Sequence, residues 1–567
     1  MNSWKPRFLR WFAGPGPAGP PGYLLPRWLF LRALGVIYFS AFYSLAFQIR
    51  GLLGPEELLP ARIYLEQVAQ MLGFARYWFA PTLLWLDSSD RALVALCWIG
   101  MAASVLLVLN LWPRGMLLIC FVMFLSFVSA AQDFSGYQSD GMLLAASFVG
   151  FFFAPGGLRP RWAAKTPPSR ASLWLLRMLW FSIYFESGIA KYFGGDPSWR
   201  DLTAMDQYYQ NGPLPTWIGW YAQQLPHGFH AFTALLTLAV ELALVWMVFL
   251  PRRFRITCFL VVTALQIGII LTANYAFLNY LVLSLGFLLL DDRFLVKFLP
   301  AGWGSAVREN LQAMPQPEPQ EPLVELDPHS LSPADLPLEE IAAAPEEESS
   351  AVPEWKLALR DVSSAAALWL SGFFLTWLFC ASGFQILAHV FPGIPLPEKP
   401  VALLEPFRIA DSYGLFGRMT WKRYEIEFQG SNDGLHWTPY PFRNKPQDTA
   451  AAPRIYAPYQ PRFDWNLWFA SLDTWRDNPW VLRAEELLLL NDRDVLALFA
   501  ANPFPQSPPK QVRAVLWRYW FTDLASKHAT RQWWRRKYLG LYAPAIERGA
   551  DGKFVVEAWP DALPPPP

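Results

Sequence analysis

FESGIAKYFGGDPSWRDLTAMDQYYQNGPLPTWIGWYAQQLP occupies Phe185–Pro226. It leaves an apolar run of helix length, breaks at Gly194-Gly195-Asp196-Pro197, and continues with charge, Trp, Tyr and Pro. Such a stretch is too polar to cross a hydrocarbon core. It is also too aromatic for an ordinary solvated loop, because amphipathic rings collect at the headgroup level of a bilayer. It reads as a shaped segment at the membrane–water boundary.

The rest of the composition agrees. Of 567 residues, 53% are apolar, 16% aromatic and only 16% charged, with 29 Trp and 43 Phe; a soluble protein carries about 25% charged residues. The net charge of +1 comes with no basic domain to neutralise phosphates, so nucleic acid is not expected as a partner. The four cysteines, Cys97, Cys120, Cys258 and Cys380, all lie in apolar runs. They read as small buried hydrophobes, with neither a disulfide framework nor zinc spacing.

About 20 apolar residues cross a hydrocarbon core. By that measure nine spans are expected, near 28–49, 91–111, 115–132, 139–154, 172–193, 229–250, 254–272, 275–291 and 363–390. Only Trp112-Pro113-Arg114 separates the second from the third, which predicts a tight hairpin. Segment 61–86 is apolar in patches, but Arg62, Glu66 and Arg76 make it an interfacial helix. Lys and Arg gather in alternate loops: Lys5, Arg7, Arg10 and Arg27; Arg114; Arg159, Arg161, Lys165 and Arg170; Arg252, Arg253 and Arg255; Arg293 and Lys297; Lys356 and Arg360. With nine spans all of these fall on one side, which the positive-inside bias makes cytoplasmic.

The expected division of the chain follows: 1–27, a cytoplasmic N-terminal tail; 28–300, a transmembrane bundle with an extracytoplasmic interfacial segment 194–228; 301–355, a linker; 356–392, the last span; 393–567, a soluble extracytoplasmic domain. No cleavable signal is expected near GPGPAGPPG. The linker is rich in Pro, Glu and Ala and nearly free of aromatics, a composition that cannot bury enough apolar surface to offset ordering. It reads as disordered, a spacer or a docking tail. The membrane is a bacterial inner membrane with the last domain outside, or an endoplasmic reticulum membrane with that domain in the lumen.

In the last domain Tyr424, Ile426 and Phe428 alternate with Glu425, Glu427 and Gln429, the period of a half-buried strand. Ser431-Asn432-Asp433-Gly434 supplies a hairpin turn, and His436-Trp437-Thr438 begins the return. Asp464–Trp475 and Glu485–Ala501 look helical. Val515, Trp517, Tyr519 and Phe521 alternate again, and Arg531–Tyr538 is open between strand and basic helix. The fold class expected is a polytopic α-helical bundle with a C-terminal extracytoplasmic α+β, β-sandwich-like domain.

These blocks resemble one family. Trp199-Arg200-Asp201-Leu202-Thr203-Ala204 with Pro213-Leu214-Pro215, then Tyr413-Gly414-Leu415-Phe416, Gly430–Gly434, Pro461-Arg462-Phe463-Asp464-Trp465, Trp468-Phe469-Ala470 and Asn502-Pro503-Phe504, taken in order, are similar to the lipase maturation factors. The resemblance implies a membrane factor that assists folding, assembly or maturation of a secreted lipase or another exported protein, with membrane lipid around it and no cofactor. The bundle more distantly resembles the vitamin K-dependent γ-carboxylase family, in which a lysine of the corresponding block acts as base. Lys191 is the matching position. The 132–140 loop lacks the Asn-His pair that this second resemblance would place there.

The residues themselves carry no G-x-S-x-G, H-E-x-x-H, phosphate loop or C-x-x-C. His227 and His230 are too few for zinc without further ligands, and no metal site is expected. Asp133, Asp140, Glu186, Lys191, Asp196, Arg200 and Asp201, with Asp206 beyond, lie at one membrane depth. Three readings stand: a salt-bridged vestibule, a cleft for lipid or client, or a catalytic site using Lys191 and Glu241. Glu241 sits midway along a span, where a carboxylate must be protonated, paired or wet. Trp437, Trp465 and Trp468 are the candidate client anchors, with Trp517 and Trp520 beside them; packing in the core is the alternative for each.

Overall fold

The computed structural model describes residues 22–162, 166–300, 303, 305–312, 354–391, 393–549 and 551–561. Each expected span coincides with a helix: α1 (Leu24–Ala46), α3 (Asp90–Val108), α4 (Pro113–Val128), α5 (Gln138–Phe153), α6 (Arg170–Phe193), α7 (His227–Leu242), α8 (Arg252–Thr272), α9 (Leu278–Gly286) and α10 (Glu354–Val390). Of the segment 61–86 expected as an interfacial helix, Ala61–Leu72 forms helix α2, and short turns follow at Gly73–Ala75 and Arg76–Phe79. Among the described residues, five helices are long and apolar enough to cross a membrane: Leu24–Ala46, Asp90–Val108, His227–Phe249, Arg252–Thr272 and Ala365–Val390. The other expected spans are short or charged. α4 and α5 have 16 residues each, and the 24-residue α6 carries Arg177, Glu186 and Lys191. Most of 301–355, and 1–21 of the N-terminal tail, lie outside the described residues.

Local chemistry fixes the joints. Ser89 caps α3 by accepting from the Ala92 N–H. The hairpin into α4 turns on Trp112 at φ 42°, with Pro113 as the first helical residue, where its missing N–H costs nothing. Ser169 caps α6. Past α6, residues 194–226 form short helical turns, including Pro197–Arg200 and Trp217–Gln223.

The C-terminal domain holds one antiparallel sheet of six strands: β1 (Arg423–Ser431), β2 (Thr438–Pro439), β3 (Gln511–Phe521), β4 (Trp534–Leu541), β5 (Ala545–Arg548) and β6 (Phe554–Ala558). Their order is β2-β1-β3-β5-β6, with β4 also paired to β3. β1 runs the length of β3, from Arg423 opposite Tyr519 to Ser431 opposite Gln511. Helices α11 (Arg462–Ala470) and α12 (Trp480–Leu489) pack on β1 and β3 respectively. The sandwich-like expectation is therefore corrected: helices, rather than a second sheet, cover this one. The expected second helix, 485–501, begins earlier and ends at Leu489; Asn491 stands at φ 57°, and Asp492 caps a new turn over Arg493–Leu496.

Candidate functional site

The polar residues at the end of α6 meet the C-terminal domain directly. Gly188 sets the spacing between helices: a Cβ there would stand 2.9 Å from the Glu241 Cβ. Its absence lets α7 close on α6 and brings two charges into contact. Lys191 Nζ donates to Glu241 Oε1 and Oε2 at 2.9 and 2.8 Å and to the Leu415 carbonyl at 2.8 Å. The Trp199 ring lies 5.3 Å from the same nitrogen. Lys191 is 2% exposed and Glu241 8%. An ammonium has three donors, and all three are engaged here, so Lys191 offers no lone pair in this arrangement.

Leu415 belongs to a strip of chain, Tyr413–Met419, laid across the polar ends of the bundle. The Tyr413 N–H donates to Glu186 Oε2 at 2.8 Å, Gly414 to Gln138 Oε1 at 3.2 Å, and Leu415 to Ser187 Oγ at 3.2 Å. Trp199 Nε1 donates to the Phe416 carbonyl at 3.0 Å, and the Met419 N–H reaches Asp196 Oδ2 at 2.7 Å. Partial burial pushes the Asp196 carboxyl up, but hydrogen bonds from Ser198 and Met419 outweigh it and hold it below the ordinary range. Buried backbone groups require partners; the bundle's side chains supply them to a strip that forms no helix or strand.

Asp140 anchors a second contact. Arg462 grips it with both terminal nitrogens, at 2.8 and 2.9 Å, and donates to the Phe134 carbonyl at 2.6 Å. The guanidinium lies between the rings of Phe127 and Tyr137, at 4.7 and 5.2 Å. Tyr137 in turn donates to Asn466 Oδ1 at 2.8 Å, while Asn466 Nδ2 donates to the Asp133 carbonyl at 3.1 Å. Arg423 closes a third contact, giving its guanidinium to the carbonyls of Gln210, Gly212 and Pro213 and to Glu425. Asn274 bridges a fourth, accepting from the Tyr456 N–H at 2.7 Å and donating to the Arg454 carbonyl at 2.8 Å.

The expected polar group therefore does not pair within itself. Asp140, Glu186, Lys191 and Asp196 each reach the C-terminal domain, Lys191 through the Leu415 carbonyl, while the Lys191–Glu241 ion pair lies inside the bundle. The Asp133 side chain, Arg200 and Asp201 are exposed and stand outside these contacts. Asp206 accepts from His227 and His230 at 3.0 and 3.1 Å. Among the described residues no group of three or more His, Cys, Asp or Glu could hold a metal.

The aromatic candidates divide. Trp465 and Trp468 are only 7% and 8% exposed, so they are not an open surface. Trp465 packs against Tyr137 and Tyr275, at 5.7 and 6.2 Å between ring centres. Trp437 stays half-buried with the Arg513 guanidinium 3.9 Å above its ring. Sequence reasoning missed Arg462, Arg423 and Asn274 as the groups joining the two halves. Their signal was faint: a charged or amide side chain inside an aromatic block.

Comparison with known proteins covers both halves. The model of the lipase maturation factor transmembrane domain matches residues 25–297, and that of the lipase maturation factor C-terminal domain matches 409–544. Lipase maturation factor 2 of Gallus gallus is 32% identical over 604 residues, covering 95% of this chain and 84% of that protein. Lipase maturation factor 1 of Mus musculus is 31% identical over 576 residues, covering 97% and 93%; lipase maturation factor 1 of Homo sapiens is 31% identical, covering 94% and 91%. No solved structure matches. The chain is an integral membrane protein that belongs to the lipase maturation factor family.

Proposed function

We propose that this protein assists folding, assembly or maturation of an exported lipase-type client, without chemistry of its own, from a bundle of nine passes whose C-terminal domain faces the extracytoplasmic side. The observation that carries the reading is the alignment of proteins named lipase maturation factors over both the bundle and the C-terminal domain. The charge bias of the loops supports the orientation. The contact of 413–419 with the end of α6 is consistent with a shared side for the segment after α6 and the last domain.

This reading keeps the division into a cytoplasmic tail, bundle, linker, last span and outer domain as part of the proposal. The client-facing surface moves away from Trp465 and Trp468. It becomes the sheet edge at β6, exposed along its whole length with Phe554, Val555 and Val556, together with Trp559 at 62% exposure. An edge strand with free backbone groups and apolar side chains is a template for an added strand. The enzymatic alternative, with Lys191 as base, is not favoured by a lysine whose donors are all engaged.

The test is co-expression of the full-length protein with a secreted lipase of the same source. The expected result is recovery of lipase with the membrane protein and a rise in active lipase per unit of lipase antigen. No capture and no change in active yield would overturn the proposal.

A further inference from the structure

α7 and α8 leave a common corner at Ala243–Pro251 and then diverge. α7 packs on α6, while α8 packs on α9 and on the helix Trp217–Gln223; the two make little contact with each other. Between them lies a cavity of about 530 Å³, lined by Tyr184, Thr233, Val240, Leu265 and Gly268 and ending at Lys191 and Glu241. That volume is within the roughly 300–1,000 Å³ of pockets that hold small ligands.

Its mouth is lateral. Leu236 on α7 and Ala264 and Gly268 on α8 are exposed lining residues, and a Cβ placed on Gly268 would meet open space. Both helices belong to spans long and apolar enough to cross a bilayer, so the opening faces hydrocarbon. It lies toward the end of the bundle that meets the C-terminal domain, because Leu415 and Phe416 close the cavity there.

The polar groups on its wall are already used. Lys191 and Glu241 satisfy each other. Gln266 Nε2 donates to the Tyr184 hydroxyl at 2.7 Å, and Asn279 Nδ2 donates to Gln266 Oε1 at 2.6 Å. Thr233 and Thr237 donate to carbonyls of their own helix, both at 2.9 Å. The wall is mostly apolar, and its polar groups cluster at the Lys191–Glu241 end and around Gln266. A charged or strongly hydrogen-bonding ligand would find little to recognise.

We infer that the gap between α7 and α8 admits one hydrocarbon chain of a bilayer lipid from the leaflet adjoining the C-terminal domain. The inserted chain reaches Leu415 and Phe416 and so packs under the strip that docks that domain. The inference stands on the cavity and its mouth and does not depend on the lipase reading.

The test uses the full-length protein in nanodiscs of dioleoylphosphatidylcholine carrying a trace of a phosphatidylcholine with a diazirine on one acyl chain, with cross-links located by peptide mass spectrometry. Labelling is expected at Val240 and Tyr184 inside the cavity, in addition to the outward-facing Phe232 and Ile267. Gly268→Trp narrows the mouth from α8, and Thr237→Trp fills the cavity from α7. Each is expected to cut labelling at Val240 about tenfold while leaving Phe232 labelled, and two variants on different helices guard against one misfolding. Labelling confined to Phe232 and Ile267 in the unaltered protein would overturn the inference. So would labelling at Val240 that survives both substitutions.

Discussion

Asp140 on α5 and Arg462 on α11 stand 322 residues apart in sequence and share two hydrogen bonds of 2.8 and 2.9 Å, with both side chains about 1% exposed. Removing one partner of a buried pair strands the other charge, at a cost of about 3–5 kcal/mol, whereas replacing both with apolar residues is often near neutral. Arg462→Ala and Asp140→Ala should therefore each release the C-terminal domain from the bundle. Asp140→Leu with Arg462→Met should recover much of the loss. Limited proteolysis of the full-length protein, read as the rate of cleavage near 400–422, measures this.

Lys191 and Glu241 allow a similar discrimination. Lys191→Met alone leaves a carboxylate buried in the bundle, and protein abundance should fall. Adding Glu241→Leu should restore it. If active lipase yield returns with abundance in the double variant, the pair is structural. An inactive double variant at normal abundance would instead point to chemistry at Lys191.

Burial pushes the Asp464 carboxyl up from 3.8 to about 6, against the opposing hydrogen bond from Asn444 and the charge of Lys445. The folded protein thus holds this proton more tightly than the unfolded chain. Stability contributed by this site falls as pH rises from about 4 to about 6 and is flat outside that window, by about 3 kcal/mol in all. Thermal unfolding between pH 4 and 7 should show that slope, and Asp464→Asn should reduce it.

Glu485, 0% exposed within α12, has its carboxyl pushed well above the ordinary range by burial. Glu485→Gln keeps the shape without a titrating group and should shift stability by no more than about 1 kcal/mol. Glu485→Lys places a charge with no partner and should abolish accumulation of folded protein. Melting temperature and detergent-extractable yield report both.

At β6, Val555→Lys introduces a charge on an exposed edge strand at little cost to the fold. It should lower recovery of active lipase while abundance stays within about twofold. Parallel measurement of antigen and activity separates the two effects.

The helices were legible because hydropathy and length write them plainly, and the hairpin at Trp112-Pro113-Arg114 appears as read. The burial of β1 was not. Tyr424, Ile426 and Phe428 promised one buried face, yet Glu425, Glu427 and Gln429 are buried too. Arg423 and Lys445 hold Glu425, Arg536 holds Glu427, and Arg513 holds Gln429. Period two reports apolar surface and is blind to charges buried in pairs. The roles of Asp140 and Glu186 were not legible: their partners lie in a domain hundreds of residues on, and no spacing rule links such positions.

The strip Tyr413–Met419 also sets a clock on biosynthesis. Until it and Arg462 emerge, Asp140 lacks its guanidinium, Glu186 and Asp196 each lack one donor, and Lys191 lacks one acceptor. At ~5–20 residues per second, the 322 residues from Asp140 to Arg462 take roughly 15–65 s to make. For that interval the earlier helices wait with part of their polar groups uncovered, and a chain halted before residue 413 never gains those partners.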